Sequence, residues 1–80
     1  MTIRDMINNG ITLQGRVKIQ CWTTEDYPEV YYEGNIDLDG TKEIEEYLDR
    51  RISYIFPYVV NVGHRNPVWI GAICIEIEEK

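Results

Sequence analysis

The chain has 80 residues, of which 44% are apolar and 28% are charged, and its net charge is −6. This composition excludes an intrinsically disordered protein, and the length excludes a second hydrophobic core. Ten acidic residues lie between Glu25 and Asp49, where Lys42 is the one base. A nucleic-acid binder is therefore not expected, because phosphate contacts need clustered Lys and Arg. This charge favours a basic protein surface or a cation as the partner.

A cytoplasmic protein with reduced cysteines is expected. No charged and then apolar leader is visible at the N-terminus, so no signal peptide is predicted. The longest apolar run, residues 68–75, is far shorter than the roughly 20 residues that cross a bilayer. Cys21 and Cys74 fall in strand-like segments and match no metal-ligand spacing, which predicts two buried thiols. A disulfide between them is the alternative.

A short helix is predicted at the start of the chain. Thr2 and Asp5 have the spacing of a capping box, in which each side chain bonds the backbone amide of the other. Apolar side chains follow at helical spacing, at Ile3, Met6 and Ile7. Gly10 then ends the helix by supplying a left-handed turn.

Two alternating segments, residues 11–22 and 30–38, predict the first hairpin. The side chains expected to face inward are Ile11, Leu13, Gly15, Val17, Ile19 and Cys21 on the first strand and Val30, Tyr32, Gly34, Ile36 and Leu38 on the second. Gly15, in the middle of the first strand, indicates a bulge or a close backbone contact. The loop length favours a register that makes Trp22 and Tyr31 cross-strand neighbours.

A helix and a second hairpin are predicted in the rest of the chain. The helix covers about residues 42–50, and residues 52–56 then resume a strand pattern. Pro57 has no N–H for a ladder, so this strand is expected at a sheet edge, or to end or bulge there. The last strand, residues 68–78, is apolar on both parities in its first half, which predicts a central strand covered on both faces there.

These elements predict one α+β domain over residues 1–80. Its sheet is expected to be four-stranded and antiparallel, built from two hairpins, with two helices packed on one face. The predicted order of elements is α-β-β-α-β-β. No repeat, low-complexity segment or linker divides the chain.

Several short segments carry a resemblance to a known family. They are residues 2–15, Trp22, residues 32–34, residues 46–49, the pattern Ile52-x-Tyr54 and residues 75–77. In these segments the chain resembles short, uncharacterised proteins encoded by phages and prophages of low-GC Gram-positive bacteria. The chain departs from that pattern between Pro57 and Gly71, where its connection between strands is longer. The resemblance implies a phage-type accessory protein and carries no established activity.

The sequence has no residue pattern typical of catalysis. His64 is the one histidine, and no Cys or second His lies at metal-ligand spacing from it. Ser53 is the one serine and falls in a strand, which gives a Ser-His-acid triad little support. The glycines are scattered and form no phosphate-binding loop. We therefore expect a protein that is not an enzyme and that binds no cofactor.

Residues 35–46 match part of a calcium-binding template. Oxygen-bearing side chains fall at loop positions 1, 3, 5, 9 and 12, and glycine falls at position 6. The main ligand candidates are Asn35, Asp37, Asp39 and Glu46. The segment before them reads as a strand, and Lys42 stands where a hydrophobic residue is usual. We therefore predict a strand–turn–helix junction with surface carboxylates, and a calcium-binding module is the alternative.

Exposed aromatic and acidic side chains are typical of a protein interface. The candidates here are Trp22, Glu25, Asp26, Tyr27, Glu29, Tyr31 and Tyr58. They favour a non-catalytic accessory protein that binds another protein, with inhibition of a host factor through the acidic surface as its sharpest form. A structural homo-oligomer that pairs its sheet edges is a further alternative.

Overall fold

The computed structural model of the protein describes residues 1–11, 15–36 and 40–79, apart from the side chains at positions 40 and 41. The elements in chain order are α1 (Ile3–Asn8), β1 (Gly15–Cys21), β2 (Glu29–Ile36), a 3₁₀ segment (Gly40–Tyr47), β3 (Ile52–Asn61) and β4 (Trp69–Ile77). The α+β class is therefore confirmed. In these ranges no helix has the length and apolar character needed to cross a membrane.

The four strands form one mixed sheet in the order β2-β1-β4-β3. Each hairpin is antiparallel, but the two meet through a parallel pairing of β1 with β4, in which Val17 lies beside Ile73. The prediction of a purely antiparallel sheet is therefore wrong. Alternation along a strand decides which side chains share a face, but it does not encode which strands of two hairpins become neighbours.

Proline places β3 at an edge of this sheet, as predicted. Pro57 lies in the middle of β3 and pairs with Ile73 of β4. The strand continues past it to Asn61, because a proline that points its nitrogen away from the neighbouring strand removes no ladder bond. β4 is central, between β1 and β3, which was also predicted.

The capping box of α1 forms as predicted. The Asp5 amide donates to Thr2 Oγ1 at 3.1 Å, and the Thr2 amide donates to Asp5 Oδ2 at 3.0 Å. Gly10 has φ +87°, the left-handed turn that ends a helix and that favours glycine. These local bonds satisfy amides that the first helical turn leaves free.

The second predicted helix differs from the prediction, because it is a 3₁₀ segment with a kink instead of an α-helix over residues 42–50. The kink lies at Ile44, with φ −113° and ψ 16°. Ile44 is fully buried and Leu48 is nearly so. We attribute the irregular backbone to this burial, since tertiary packing overrides weak helix propensity.

The hydrophobic core lies between the sheet and these two helical segments, on the sheet face that we call the helix face. Its buried members are Ile3, Val17, Ile19, Cys21, Ile36, Ile44, Leu48, Ile75 and Ile77. The opposite sheet surface is called the reverse face. Burial of a side chain such as Ile or Leu stabilises the fold by about 1.5–3 kcal/mol, so this cluster is a large favourable contribution to folding.

A β-bulge in β2 changes the register of the first hairpin. The pairing shifts by one residue between Ile19 and Gln20, which leaves Tyr31 without a cross-strand partner. A bulge re-aims the side chain of the extra residue. The Tyr31 ring stacks on Tyr47 of the 3₁₀ segment, with 5.5 Å between ring centroids and 11° between the ring planes. The predicted pairing of Trp22 with Tyr31 is therefore wrong.

A second irregularity, at the start of β3, changes which residues of that strand face the helices. The pairing with β4 shifts between Ile52 and Tyr54, so Ser53 is the extra residue. Beyond it, Ile55 pairs with the buried Ile75 and shares the helix face. Without the bulge, alternation from Ile52 would place Ile55 on the reverse face.

The two cysteines are buried and free, as predicted. Cys21 belongs to the core on the helix face. Cys74 follows Ile73 and precedes Ile75 in β4, so strand alternation puts it on the reverse face. Burial raises the pKa of the Cys74 thiol. The sheet lies between the two sulfur atoms, so a disulfide between them is sterically blocked.

Candidate docking surface

The helix face is divided into two halves that differ in exposure. The covered half comprises Val17, Ile19, Cys21, Ile36, Ile75 and Ile77, all buried. The open half comprises Ile55, Pro57, Val59, Trp69, Gly71 and Ile73, all exposed. Val59 is 65% exposed and Trp69 is 63% exposed, whereas Ile19 and Ile75 are 0% exposed. One continuous sheet face therefore carries a sealed core at one end and bare apolar side chains at the other.

The lengths of the elements explain why half of this face stays open. α1 has six residues, which span about 9 Å at the rise of an α-helix. β4 has nine residues, which span about 30 Å at the rise of a strand. The 3₁₀ segment has eight residues and reaches about 16 Å. The helical layer is therefore shorter than the strands below it.

The exposure of β4 is the reverse of what its sequence predicted. Its first half was expected to be covered on both faces, but Trp69 and Ile73 are exposed there. The second half, from Cys74 to Ile77, is buried on both faces. The prediction is wrong because an apolar run signals that cover is needed but does not show that this chain provides it.

A shallow groove of about 560 Å³ lies in the open half. Its lining residues are Gly15, Arg16, Pro57, Tyr58, Val59, Gly71, Ala72 and Ile73. The floor contains two glycines, and a Cβ atom built on Gly71 meets no heavy atom within 4 Å beyond its chain neighbours. Gly15 has φ +94°, a backbone conformation that residues with a side chain rarely adopt. The backbone at this position therefore favours glycine.

Few charges border this groove. Residues 53–75 contain no Asp or Glu, and Arg65 is their one Lys or Arg. Arg16 borders the groove, but strand alternation puts its side chain on the reverse face, where Nη2 lies 3.6 Å from Glu33 Oε1. Its Nε is buried and has no hydrogen-bond partner within the described parts of the chain. The groove is therefore apolar.

The reverse face differs in that its polar side chains bind one another, although Val30, Tyr54 and Phe56 on the same face are also exposed. Lys18 Nζ lies 4.7 Å from the centroid of the Tyr58 ring, and the Tyr58 hydroxyl donates to Glu33 Oε2 at 3.2 Å. Burial and the neighbouring Glu33 carboxylate raise the pKa of Tyr58. Trp22 Nε1 donates to the nearly buried Glu76 carboxylate. These polar groups form bonds with one another within the chain. The apolar side chains of the open half, in contrast, have no described element packed over them.

The structure divides the predicted protein-binding residues into two groups. Five lie in or beside the loop between β1 and β2 and are exposed: Trp22, Glu25, Asp26, Tyr27 and Glu29. The other two, Tyr31 and Tyr58, are half-buried in separate places, against Tyr47 and under Lys18. The loop therefore remains one acidic and aromatic surface, at the end of the sheet opposite the loop between β3 and β4.

Two of the predicted calcium ligands, Asp37 and Asp39, lie outside the described residues. Asn35 and Glu46 are both exposed. Over residues 1–11, 15–36 and 40–79, no three His, Cys, Asp or Glu side chains are grouped as a metal site requires.

The two side chains considered for catalysis lie far apart. Ser53 Oγ donates to the Glu76 carbonyl oxygen at 3.1 Å. His64 is exposed in the loop at the opposite end of β3, about 30 Å away by strand rise. The two side chains therefore do not share a site.

Sequence reasoning missed the open half, although one signal for it was present. The stretch from Ser53 to Ile75 lacks acidic residues in a chain that is otherwise strongly acidic. A hairpin of this length with one charged residue, Arg65, and with aromatic and β-branched residues on both parities is typical of a surface that another element covers. Comparison with known proteins adds nothing to this geometry, since no family model, curated protein or solved structure matches the chain.

Proposed function

We propose that this is a non-catalytic binding protein that docks another protein on the open half of its helix face. The supporting observation is the exposure of Val59, Trp69, Ile55 and Ile73 on a face whose other half is core. Contiguous apolar surface of this kind is costly to leave in water and marks interaction sites in soluble proteins. Aromatic anchors such as Trp69 are the residues that dominate the energetics of such contacts.

The shape of the surface favours a protein over a small molecule. Small-ligand sites enclose most of the ligand surface, in pockets with convergent polar groups. The groove here lies on a sheet surface, and its walls Val59 and Ile73 are open to solvent. A protein segment that continues beyond the groove can also cover Trp69 and Ile55, which a small molecule does not reach.

The loop between β1 and β2 supports a second candidate function. Glu25, Asp26 and Glu29 are exposed there beside Tyr27, which is 66% exposed. An acidic and aromatic loop suits a basic partner, as in a phage-type accessory protein that inhibits a host factor. The open half is the stronger candidate because exposed carboxylates are already favourable in water, whereas exposed apolar side chains are not.

A display selection tests the proposal against this alternative. A random-peptide library is selected on the immobilised protein, and the enriched peptides are then measured on two variants, Val59→Asp and Tyr27→Asp. The two positions are equally exposed, so each substitution adds one charge at a surface site and should change stability by less than about 0.5 kcal/mol. Circular dichroism and urea unfolding check that both variants stay folded.

We expect enriched peptides that lose binding to Val59→Asp and keep it on Tyr27→Asp. A buried interfacial charge in the open half costs several-fold to many-fold in affinity, because it is left without a partner. Peptides that depend on Tyr27 and ignore Val59 would instead assign the function to the acidic loop. Enriched peptides that are insensitive to both substitutions would contradict both candidate surfaces.

A further inference from the structure

We infer that a nearly buried carboxylate on the reverse face, Glu76, together with the aromatic rings beside it, binds the guanidinium group of an arginine on a basic protein partner. The inference goes beyond the proposed docking on the open half, because Glu76 lies on the other sheet face and towards the other end of β4. It follows from three properties of the described residues: the missing counter-charge of Glu76, the rings that flank it, and the acidic loop that begins there.

Glu76 is a nearly buried charge whose described partner is neutral. It is 9% exposed, and the indole Nε1 of Trp22 donates to its carboxylate. Its neighbour on β1, Gln20, is uncharged, and no Lys, Arg or His in the described ranges forms an ion pair with it. The nearest base on β1, Lys18, places its Nζ over the Tyr58 ring instead. Because buried charges in proteins are normally paired, this carboxylate is suited to a cation from outside the chain.

Three exposed aromatic side chains flank Glu76 on the reverse face. Tyr54 of β3 pairs directly with it and is 69% exposed. Phe56 is the next residue of β3 on that face, and Trp22 reaches Glu76 from the end of β1. Directly paired residues have Cβ atoms about 4.5–5.5 Å apart, and diagonal ones remain within reach of aromatic side chains. The carboxylate therefore lies at the base of an aromatic patch that is open to solvent.

This combination of groups favours a guanidinium over other cations. A cation is attracted to the face of an aromatic ring, and more strongly where water is excluded. A guanidinium is planar and weakly hydrated, so it stacks on a ring while its N–H groups donate to a carboxylate. A divalent metal needs several oxygen ligands, and the described residues contain no group of three acidic, His or Cys side chains.

The loop that begins at Trp22 favours a protein as the source of the arginine. Glu25, Asp26 and Glu29 are exposed in or beside this loop. A basic protein segment carries further positive charges that these carboxylates attract, and such attraction raises the rate of encounter. Glu76 and its rings then supply the specific contact, since the exposed loop carboxylates are screened by water and salt.

Three short peptides test this inference. Each alternates alanine with one other residue, which is arginine, lysine or citrulline, and citrulline has nearly the shape of arginine without its charge. The peptides are titrated into the isotope-labelled full chain while the indole N–H signals of Trp22 and Trp69 are followed by NMR. Trp69 is exposed on the helix face, so its signal is an internal control for binding elsewhere.

Three variants separate the carboxylate, the ring and the loop. Glu76→Gln removes the charge and keeps an oxygen that accepts from Trp22 Nε1. Tyr54→Thr removes an exposed ring and introduces a residue that suits a strand. Asp26→Asn makes the same change of carboxylate to amide in the exposed loop and is the matched control. Circular dichroism and urea unfolding check that each variant stays folded.

We expect the arginine peptide to shift the indole signal of Trp22 and leave that of Trp69 unchanged. It should bind at least about tenfold more tightly than the citrulline peptide, because only the charged group pairs with Glu76, and the lysine peptide should fall between them. Glu76→Gln should weaken the arginine peptide by about tenfold or more, and Tyr54→Thr should weaken it severalfold. Asp26→Asn should weaken it by less than about twofold.

Equal binding of the arginine and citrulline peptides, or unchanged binding to Glu76→Gln, overturns the cation site. Tighter binding of the lysine peptide overturns the assignment to a guanidinium. A loss in Asp26→Asn as large as that in Glu76→Gln assigns the binding to general attraction by the acidic loop, and a shift confined to Trp69, or no shift, also contradicts the site. None of these outcomes depends on Val59 or Gly71, so the display selection decides the proposed function separately.

Discussion

The covered and open halves of the helix face belong to one sheet and share strand β4, but their side chains differ in exposure to solvent. In the covered half, Ile19 and Ile75 lie under helical segments and are fully buried. In the open half, Val59 and Ile73 have the same orientation with nothing described above them. Apolar patterning is therefore necessary for a core but does not create one, since a second layer must also reach the site.

The largest expected difference between the halves is in thiol reactivity. A cysteine placed in the open half by Gly71→Cys should react with a thiol reagent at nearly the rate of a free thiol. Cys21 and Cys74 are buried, so their reaction requires opening of the fold and should be slower by on the order of a thousandfold. Stopped-flow labelling followed by mass spectrometry of the peptides measures all three. Similar rates for the three cysteines would contradict the division of the face.

Truncation of one side chain in each half compares their contributions to the free energy of unfolding. Ile75→Ala removes a buried side chain and should lower the free energy of unfolding by about 2–5 kcal/mol. Val59→Ala, on the same face in the open half, should lower it by less than about 1 kcal/mol. Urea unfolding monitored by circular dichroism gives both values. A loss at Val59 as large as that at Ile75 would mean that the open half is covered in solution.

The contrast with the reverse face is tested at Trp22. Trp22→Phe removes the donor to the nearly buried Glu76 carboxylate and should cost about 1–3 kcal/mol, because that carboxylate is left underbonded. Tyr27→Phe is the matched control, since Tyr27 is exposed and its change should have little effect. The same urea series reports both changes. Equal stability of the Trp22 variant and the control would show that this bond contributes little.

The smallest expected effect is pH-dependent and lies at the helical layer itself. Arg4 donates to Asp49 at 2.7 Å and holds the pKa of that carboxyl below its usual range. Because the folded-state pKa is lowered, the stabilisation is present above the unfolded pKa of about 3.9 and is lost as pH falls through the folded value. Both side chains are largely exposed, so the effect is small.

Asp49→Asn should therefore lower stability slightly at neutral pH and flatten the fall in stability below about pH 4. Asp26→Asn, in the exposed loop between β1 and β2, is the control. Melting temperatures measured between pH 2 and 7 compare the two, and identical curves would mean that the pair with Arg4 has no linkage to folding.

Local features of this fold are readable from the sequence, and non-local ones are not. Thr2, Asp5 and Gly10 predicted α1 and its caps because capping depends on neighbours within four residues. Pro57 predicted an edge strand because it lacks a donor. The parallel pairing of β1 with β4 depends on contacts between residues far apart in the sequence. Alternation within each strand therefore does not predict this pairing.

The bulges and the site show the same limit. The extra residues Tyr31 and Ser53 have no glycine signature, and each turns the following residues to the other face. Of the predicted binding residues, those in the loop after Trp22 were correctly expected to be exposed, because acidic turns are rarely buried. The open half was missed because its exposure depends on the length of the helical layer, which sequence patterns do not report.

We propose that the groove beside Gly71 is open in the folded protein and is used for docking, and Gly71→Val tests this directly. A Cβ atom at this position meets no heavy atom within 4 Å beyond its chain neighbours, and valine suits a strand better than glycine. We predict an unchanged or slightly raised midpoint of urea unfolding together with loss of every peptide whose binding depends on Val59. A clear loss of stability would show that the chain itself fills the groove in solution, and unchanged peptide binding would show that docking occurs elsewhere.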